Sequence, residues 1–247
     1  AHMVPSSAVW AGPERDDHLG APPLLYGRTE GSTPFRLSLH VGDVGHTLVV
    51  GPTGAGKSVL LALMALQFRR YPRAQVFAFD FGGSIRACAL AMQGDWHDLG
   101  GELTDAAEAS VSLQPLARIH QTSERAWAAD WIVAILMREN IQITPDVKEH
   151  IWTALTSLAS APVGERTITG LAVLLQSNDL KQALRPYCVG GPYGRLLDAE
   201  SEHLGSADVQ AFEIEGLVGT GAAPAVLSYL FHRIGDRLGG QPTLLII

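Results

Sequence analysis

Gly51-Pro52-Thr53-Gly54-Ala55-Gly56-Lys57-Ser58 stands between two apolar runs, His46-Thr-Leu-Val-Val50 before it and Val59-Leu-Leu-Ala-Leu-Met64 after it. The first run is short and rich in strand-forming residues; the second extends as a helix from Ser58 to Arg70 and is stopped by Pro72. A buried strand, a glycine turn ending in Lys-Ser and an apolar helix form the context that makes this spacing a phosphate-binding loop. The residue types follow from the chemistry. Gly54 and Gly56 let backbone N–H groups turn inward around a phosphate, and the positive end of the following helix adds to the attraction. Lys57 is placed to reach the β- and γ-phosphates, and the Ser58 hydroxyl to ligate a Mg²⁺ ion bridging the same oxygens. The expected nucleotide-binding set is Gly51, Thr53, Gly54, Ala55, Gly56, Lys57, Ser58 and Val59, with ATP and Mg as cofactors.

The rest of the composition frames this motif. Of 247 residues, 47% are hydrophobic and 17% charged, which excludes a disordered chain. Eighteen basic residues against 25 acidic ones give a formal charge of −7, so bulk attraction to nucleic acid is not indicated, although a local basic channel stays open. Only Lys57, Lys148 and Lys181 are lysines. Cys88 and Cys188 read as two buried thiols rather than a staple. No apolar run approaches the roughly 18–20 residues of a membrane span. Ala1-His2-Met3 has the look of a cleaved tag.

Outward from the loop, residues 1–33 are rich in Pro, Gly and charge and are expected to form a linker or peripheral segment. Phe35 to His40 alternates and, across the Gly42-Asp-Val-Gly45 turn, is expected to form an N-terminal hairpin with His46–Val50. Gln75-Val-Phe-Ala-Phe-Asp80 reads as a buried strand ending in an acid, and residues 85–92 as a short helix. Residues 122–184 read as a helical insertion, with Thr144-Pro145-Asp146 and Arg166-Thr-Ile-Thr169 as helix starts. Asp208 to Glu213 is a strand, Pro224 to Leu238 a helix, and Thr243 to Ile247 the last strand. The expected fold class is α/β with a mainly parallel sheet, with residues 34–247 as one P-loop domain.

Several segments together resemble the motor domain of conjugal-transfer and type IV secretion ATPases of the TrbE and VirB type. They are residues 35–58 with the loop, Phe77-Ala-Phe-Asp80, Gly191-Pro-Tyr-Gly-Arg-Leu-Leu-Asp198, Phe212-Glu-Ile-Glu-Gly-Leu217 and Pro242-Thr-Leu-Leu-Ile-Ile247. The resemblance implies a RecA-like P-loop core with a helical insertion and ATP-driven pilus biogenesis or substrate transfer. It also implies a ring-forming, hexameric homo-oligomer on the cytoplasmic face of the inner membrane, peripheral to it, partnered by other components of the apparatus. It further implies that acids follow Ile247 and that the 247 residues are a fragment able to bind nucleotide without turnover. One departure is that Phe81-Gly-Gly-Ser84 stands where the family shows Lys-Gly-x-Ser.

Asp80, at a strand end facing the ligand edge of such sheets, is a candidate to hold Mg²⁺ through water. Arg195 is either a finger reaching a neighbour's γ-phosphate or a surface arginine paired with Asp198. Glu213 and Glu215 would share one face of a strand. His40 and His46 read as structural, and Trp127 and Trp131 as core. Two other functions remain open at this point: a DNA-translocating ATPase of the FtsK or HerA kind, and a hydrolysis-deficient binding or assembly fragment. A small-molecule kinase finds no acceptor pocket or lid in the sequence.

Overall fold

The computed structural model describes residues 11–100 and 111–247; the Ala1-His2-Met3 segment lies outside them. In chain order the elements are β1 (Leu25–Arg28), β2 (Pro34–Leu37), α1 (Lys57–Phe68), β3 (Gln75–Asp80), α2 (Arg86–Ala91), β4 (Asp95–Asp98), α3 (Thr122–Arg138), α4 (Pro145–Leu158), α5 (Ile168–Leu174), α6 (Asn178–Leu184), α7 (Gly194–Leu197), β5 (Val209–Glu213), α8 (Ala223–Gly235) and β6 (Thr243–Ile246). They separate into two compact units. The first comprises residues up to Trp96 with Ala207–Phe212 and Leu238–Ile247; the second comprises His97–Ser206 and Glu213–Arg237.

A four-stranded parallel sheet runs in the order β4-β5-β3-β6. β3 is buried at all six positions, as its unbroken apolar run requires in a sheet covered on both faces. It pairs parallel with β6 in the register Gln75↔Thr243 to Ala78↔Ile246. Helix α1 packs Met64, Ala65 and Phe68 into the core beside Val76, Ala78, Val209, Ala211 and Ile246. Leu24 joins the same core, and Arg70 donates to the carbonyls of Pro23 and Leu24, so the segment before β1 is tied down.

The hairpin is present, but its strands differ from the expected pair. β1 lies antiparallel to β2, Leu25↔Leu37 to Arg28↔Pro34, so the partner of the Phe35 strand comes from before it. The Gly42 turn closes only through a Val41↔Val44 bridge. Among the described residues His46–Val50 has no strand partner, and Leu48 and Val50 are 87% and 81% exposed. A strand needs an edge to bond to, and local sequence cannot supply one. Beside this run, a recess of about 180 Å³ is lined by Thr47, Leu48, Val49, Met64, Leu244 and Ile246 among others.

The second unit is a helical assembly around Ile132, Ile135, Leu136, Ile151, Leu155, Leu171 and Leu184, all almost fully buried. Its helix starts obey the expected chemistry. Thr144 accepts from Val147 N at 3.3 Å with Pro145 at the first helical position, and Thr167 accepts from Gly170 N at 3.0 Å. Ser177 caps α6, a helix that the sequence pattern does not separate from its neighbours. Trp131 is core, its indole N–H donating to the Ala225 carbonyl at 2.9 Å. Trp127 stacks on His232 with ring centroids 4.0 Å apart.

At the end of α8, Arg118 bridges Glu124 at 2.8 Å and Asp236 at 2.5 Å, and Arg233 reaches Asp236 at 3.1 Å. Burial pushes the Asp236 carboxyl up, but the Arg118 guanidinium, with His232 and Arg233 beside it, holds it below the ordinary aspartate value. A depressed folded value means that its stabilising contribution is complete above the unfolded value and is lost as pH falls through the folded one. The gap in unfolding midpoint between the parent and Asp236→Asn should therefore be widest near neutral pH and close as acid titrates the carboxyl. A gap that stays constant with pH would contradict this account.

Candidate functional site

The loop of residues 51–56, expected from the sequence to hold phosphate, leads directly into α1. Gly54 and Gly56 have φ of +81° and +84°, and a Cβ added at either meets nothing within 4 Å. Glycine is therefore needed for the left-handed backbone and not for packing. Gly56 is also the N-cap of α1, where no side chain caps the helix and no acid occupies the first turn. The helix thus presents its positive end and its first N–H groups to solvent along the loop. Thr53, Gly54, Ala55, Ser58 and Val59 are exposed. Lys57, half-buried, folds back so that Nζ donates to Gly51 O and Pro52 O, each at 2.9 Å.

This donor set fits a nucleotide phosphate with a divalent cation. The N-terminus of α1 has no side-chain cap and no acid in its first turn, the Lys57 ammonium lies in the same loop, and the Ser58 hydroxyl is a hard oxygen ligand, while Ala55 N donates to Pro52 O at 3.3 Å. The fit rests on chemistry local to residues 51–59.

Asp80 is 8% exposed at the C-terminal end of β3. Its two oxygens are engaged by the loop that follows: Ser84 Oγ donates to Oδ1 at 2.6 Å and Ile85 N to Oδ2 at 2.7 Å. Gly82 and Gly83 both adopt positive φ to make this turn, and Phe81 is 60% exposed at its start. Asp80 therefore fixes the turn into α2, a role that its place at a strand end does not reveal.

Arg195 lies on α7 in the second unit and is exposed, whereas the phosphate loop and Asp80 are in the first. Its loop is tightly built. A Cβ on Gly191 would come within 2.5 Å of the Arg185 and Pro186 carbonyls, and one on Gly194 within 2.0 Å of the Cys188 carbonyl. Asp198, 4% exposed, accepts from Thr169 N at 3.0 Å, Val189 N at 2.7 Å and the Thr169 hydroxyl. The glycines and the aspartate of this segment are thus explained by packing and hydrogen bonding.

Glu213 ends β5 and is 7% exposed, its Oε1 accepting from Glu215 N at 2.8 Å. Glu215 sits in the turn beyond the strand and is exposed. The two do not share a face, because the strand stops at Glu213 and Ile214 accepts from Leu217 N and Val218 N. His40 stacks on His18 at 4.4 Å and covers Gly45, which agrees with a structural role. Both cysteines are free, and burial pushes both thiols up, away from reactivity. Glu124, His232 and Asp236 bring one ligand atom each within 4.8 Å of one another, yet Arg118 already bridges both carboxylates.

No family model matches the chain. It is 42% identical over its whole length to a probable conjugal transfer protein TrbE of Sinorhizobium fredii and, again at 42%, to conjugal transfer protein TrbE of Rhizobium radiobacter. Over 89% of its length it is 23% identical to the type IV secretion system protein virB4 of Bartonella henselae. The chain is a homologue of TrbE and VirB4.

It spans 38% and 31% of the two TrbE relatives and 28% of that VirB4 relative. The fold agrees: the structure of VirB4 of Thermoanaerobacter pseudethanolicus superposes with a TM-score of 0.64 at 16% identity, over 90% of this chain and 66% of that one. The α/β core with its parallel sheet is therefore of the VirB4 type. Among the described residues, no helix is long and apolar enough to cross a membrane.

Proposed function

We propose that this chain is the ATP-binding part of a motor that energises conjugal transfer or type IV secretion, with residues 34–247 forming the motor region and 122–184 its helical insertion. The observation that carries the reading is the loop of residues 51–58, which has left-handed Gly54 and Gly56, an uncapped α1 N-terminus and Lys57 at its centre. The homology to TrbE over the full length supports the setting. Gly51, Thr53, Gly54, Ala55 and Gly56 cradle the phosphates with backbone N–H groups. Lys57 balances charge on the outer phosphates, Ser58 ligates the cation, and Val59 continues the helix start. Bound Mg²⁺ supplies charge neutralisation at the phosphate oxygens.

The other roles follow from the same reading. Asp80 ends β3 beside the parallel strand β6, at the sheet edge where ligands bind in such folds, and there holds the cation through water. Arg195 is the group offered in trans to a neighbouring copy's γ-phosphate in a ring, here a hexamer. The assembly sits on the cytoplasmic face of the inner membrane, peripheral to it, with other components of the secretion apparatus as partners. The net charge of −7 and the names of the relatives favour this over a DNA-translocating motor of the FtsK or HerA kind.

The test is titration of fluorescent ATP into the 247-residue chain with Mg²⁺ and with EDTA. Saturable binding that weakens on chelation, with negligible phosphate release, is expected. Absence of binding would overturn the nucleotide reading, and brisk Mg²⁺-dependent hydrolysis would overturn the view that these residues bind without turnover. Strong stimulation by DNA in a longer version of the protein would favour the translocase.

A further inference from the structure

The second unit carries a groove that the nucleotide chemistry does not use. Two concavities, of about 500 Å³ and about 430 Å³, lie along α4 and α5 and share Ser157 and Leu174 in their linings. On the α4 side Asp146, Glu149, His150, Thr153 and Ser157 follow helical spacing and form one stripe. At the other end the lining includes Glu165, Asp198 and Glu200. Neither lining contains a lysine or an arginine; Lys148, the lysine of α4, belongs to neither.

The groove is not merely acidic. Val173 and Val189 are 72% and 73% exposed and Leu174 is 41% exposed, and all three line the larger concavity beside Leu158. Large aliphatic side chains left in water together, rimmed by charge of one sign, mark a surface shaped for a protein partner. The aliphatic floor asks for leucine- or isoleucine-type anchors, and the carboxylate rim asks for lysine or arginine.

We propose that this groove docks a basic amphipathic helix of another polypeptide, with its apolar residues on Val173, Leu174 and Val189 and its cations against Glu149, Glu165 and Glu200. A second copy of this chain is a poor occupant because it brings a net charge of −7. Nucleic acid is disfavoured by the four exposed carboxylates in the two linings, those of Asp146, Glu149, Glu165 and Glu200. The proposal does not depend on nucleotide binding at residues 51–58.

The test uses a fluorescent synthetic peptide of about 18 residues, with leucine at i, i+3, i+4 and i+7 spacing and arginine flanking it, and a counterpart with glutamate in place of arginine. Binding to the full chain is followed by anisotropy at low and moderate salt. The arginine peptide is expected to bind, more weakly as salt rises, and the glutamate peptide not to bind. Glu149→Lys combined with Glu200→Lys, and separately Val173→Asp, should each weaken it at least about tenfold. Asp130→Lys, on an exposed position of α3 outside both linings, should change affinity by less than about twofold. All four substituted positions are exposed, so the fold is retained, as circular dichroism would verify. Equal affinity for the parent and both groove variants would overturn the proposal. So would sedimentation showing that the parent self-associates and that the groove substitutions dissolve the oligomer, since the occupant would then be a second copy.

Discussion

Lys57→Ala is expected to lower affinity for Mg·ATP at least about a hundredfold, because a charge-assisted contact to phosphate is worth about 1.5–3 kcal/mol and this ammonium serves two phosphates. In the structure Nζ donates to Gly51 O and Pro52 O at 2.9 Å, so it is held at the centre of the loop. Those carbonyls belong to a solvent-facing turn in which Pro52 is exposed, and water replaces the lost donor at little cost. The thermal midpoint of the free chain should therefore move by no more than about 2 °C. Isothermal titration of parent and variant with Mg·ATP, paired with thermal melts, separates the two effects. Equal affinity in the two proteins would remove the basis of the functional assignment.

Asp198→Ala is expected to destabilise the second unit by about 2–3 kcal/mol, the loss of hydrogen bonds to a buried carboxylate. The carboxylate is the acceptor for Thr169 N, Val189 N and the Thr169 hydroxyl, and it ties the start of α5 to the loop before α7. Removing it takes the acceptor from Thr169 N, while Val189 N keeps the Thr169 hydroxyl at 3.0 Å. Asp198→Asn should cost less than alanine, since one carbonyl oxygen remains, but more than a surface change, because its NH₂ group turns a donor towards donors. Urea unfolding followed through Trp127 and Trp131, both in this unit, measures the difference. An alanine variant within about 1 kcal/mol of the parent would show that the network is not holding the loop.

The elements legible in the sequence are those whose signal is local. β3 is an apolar run, Val76 to Phe79, flanked by Gln75 and ended by Asp80, and its observed span matches the pattern residue for residue. The caps at Thr144 and Thr167 lie within three residues of the N–H groups they accept, so their spacing is written in the chain. β4, Asp95–Asp98, carries no periodic signal because four mixed residues owe their strand to the neighbouring β5. β1 is hidden for the same reason, its partner β2 being nine residues on. Alternation puts Glu213 and Glu215 on one strand face because it does not say where a strand stops, and Glu215 N instead turns back to the Glu213 carboxylate.

The glycine loop of residues 51–58 is legible in the sequence alone: Gly54 and Gly56 adopt left-handed backbone and α1 starts at Lys57. Its chemistry depends on residues 51–58, their backbone angles and the helix that immediately follows, all of them short-range properties of one peptide segment. What only the tertiary structure decided is how buried groups at a distance are satisfied. Asp80 holds the turn into α2, Asp198 binds α5 to the segment around Val189, and α4 with α5 leaves an acidic, aliphatic groove open. Each of these depends on which non-neighbouring donors and surfaces meet. A buried carboxylate must find its donors wherever the fold brings them, and spacing along the chain does not record that choice.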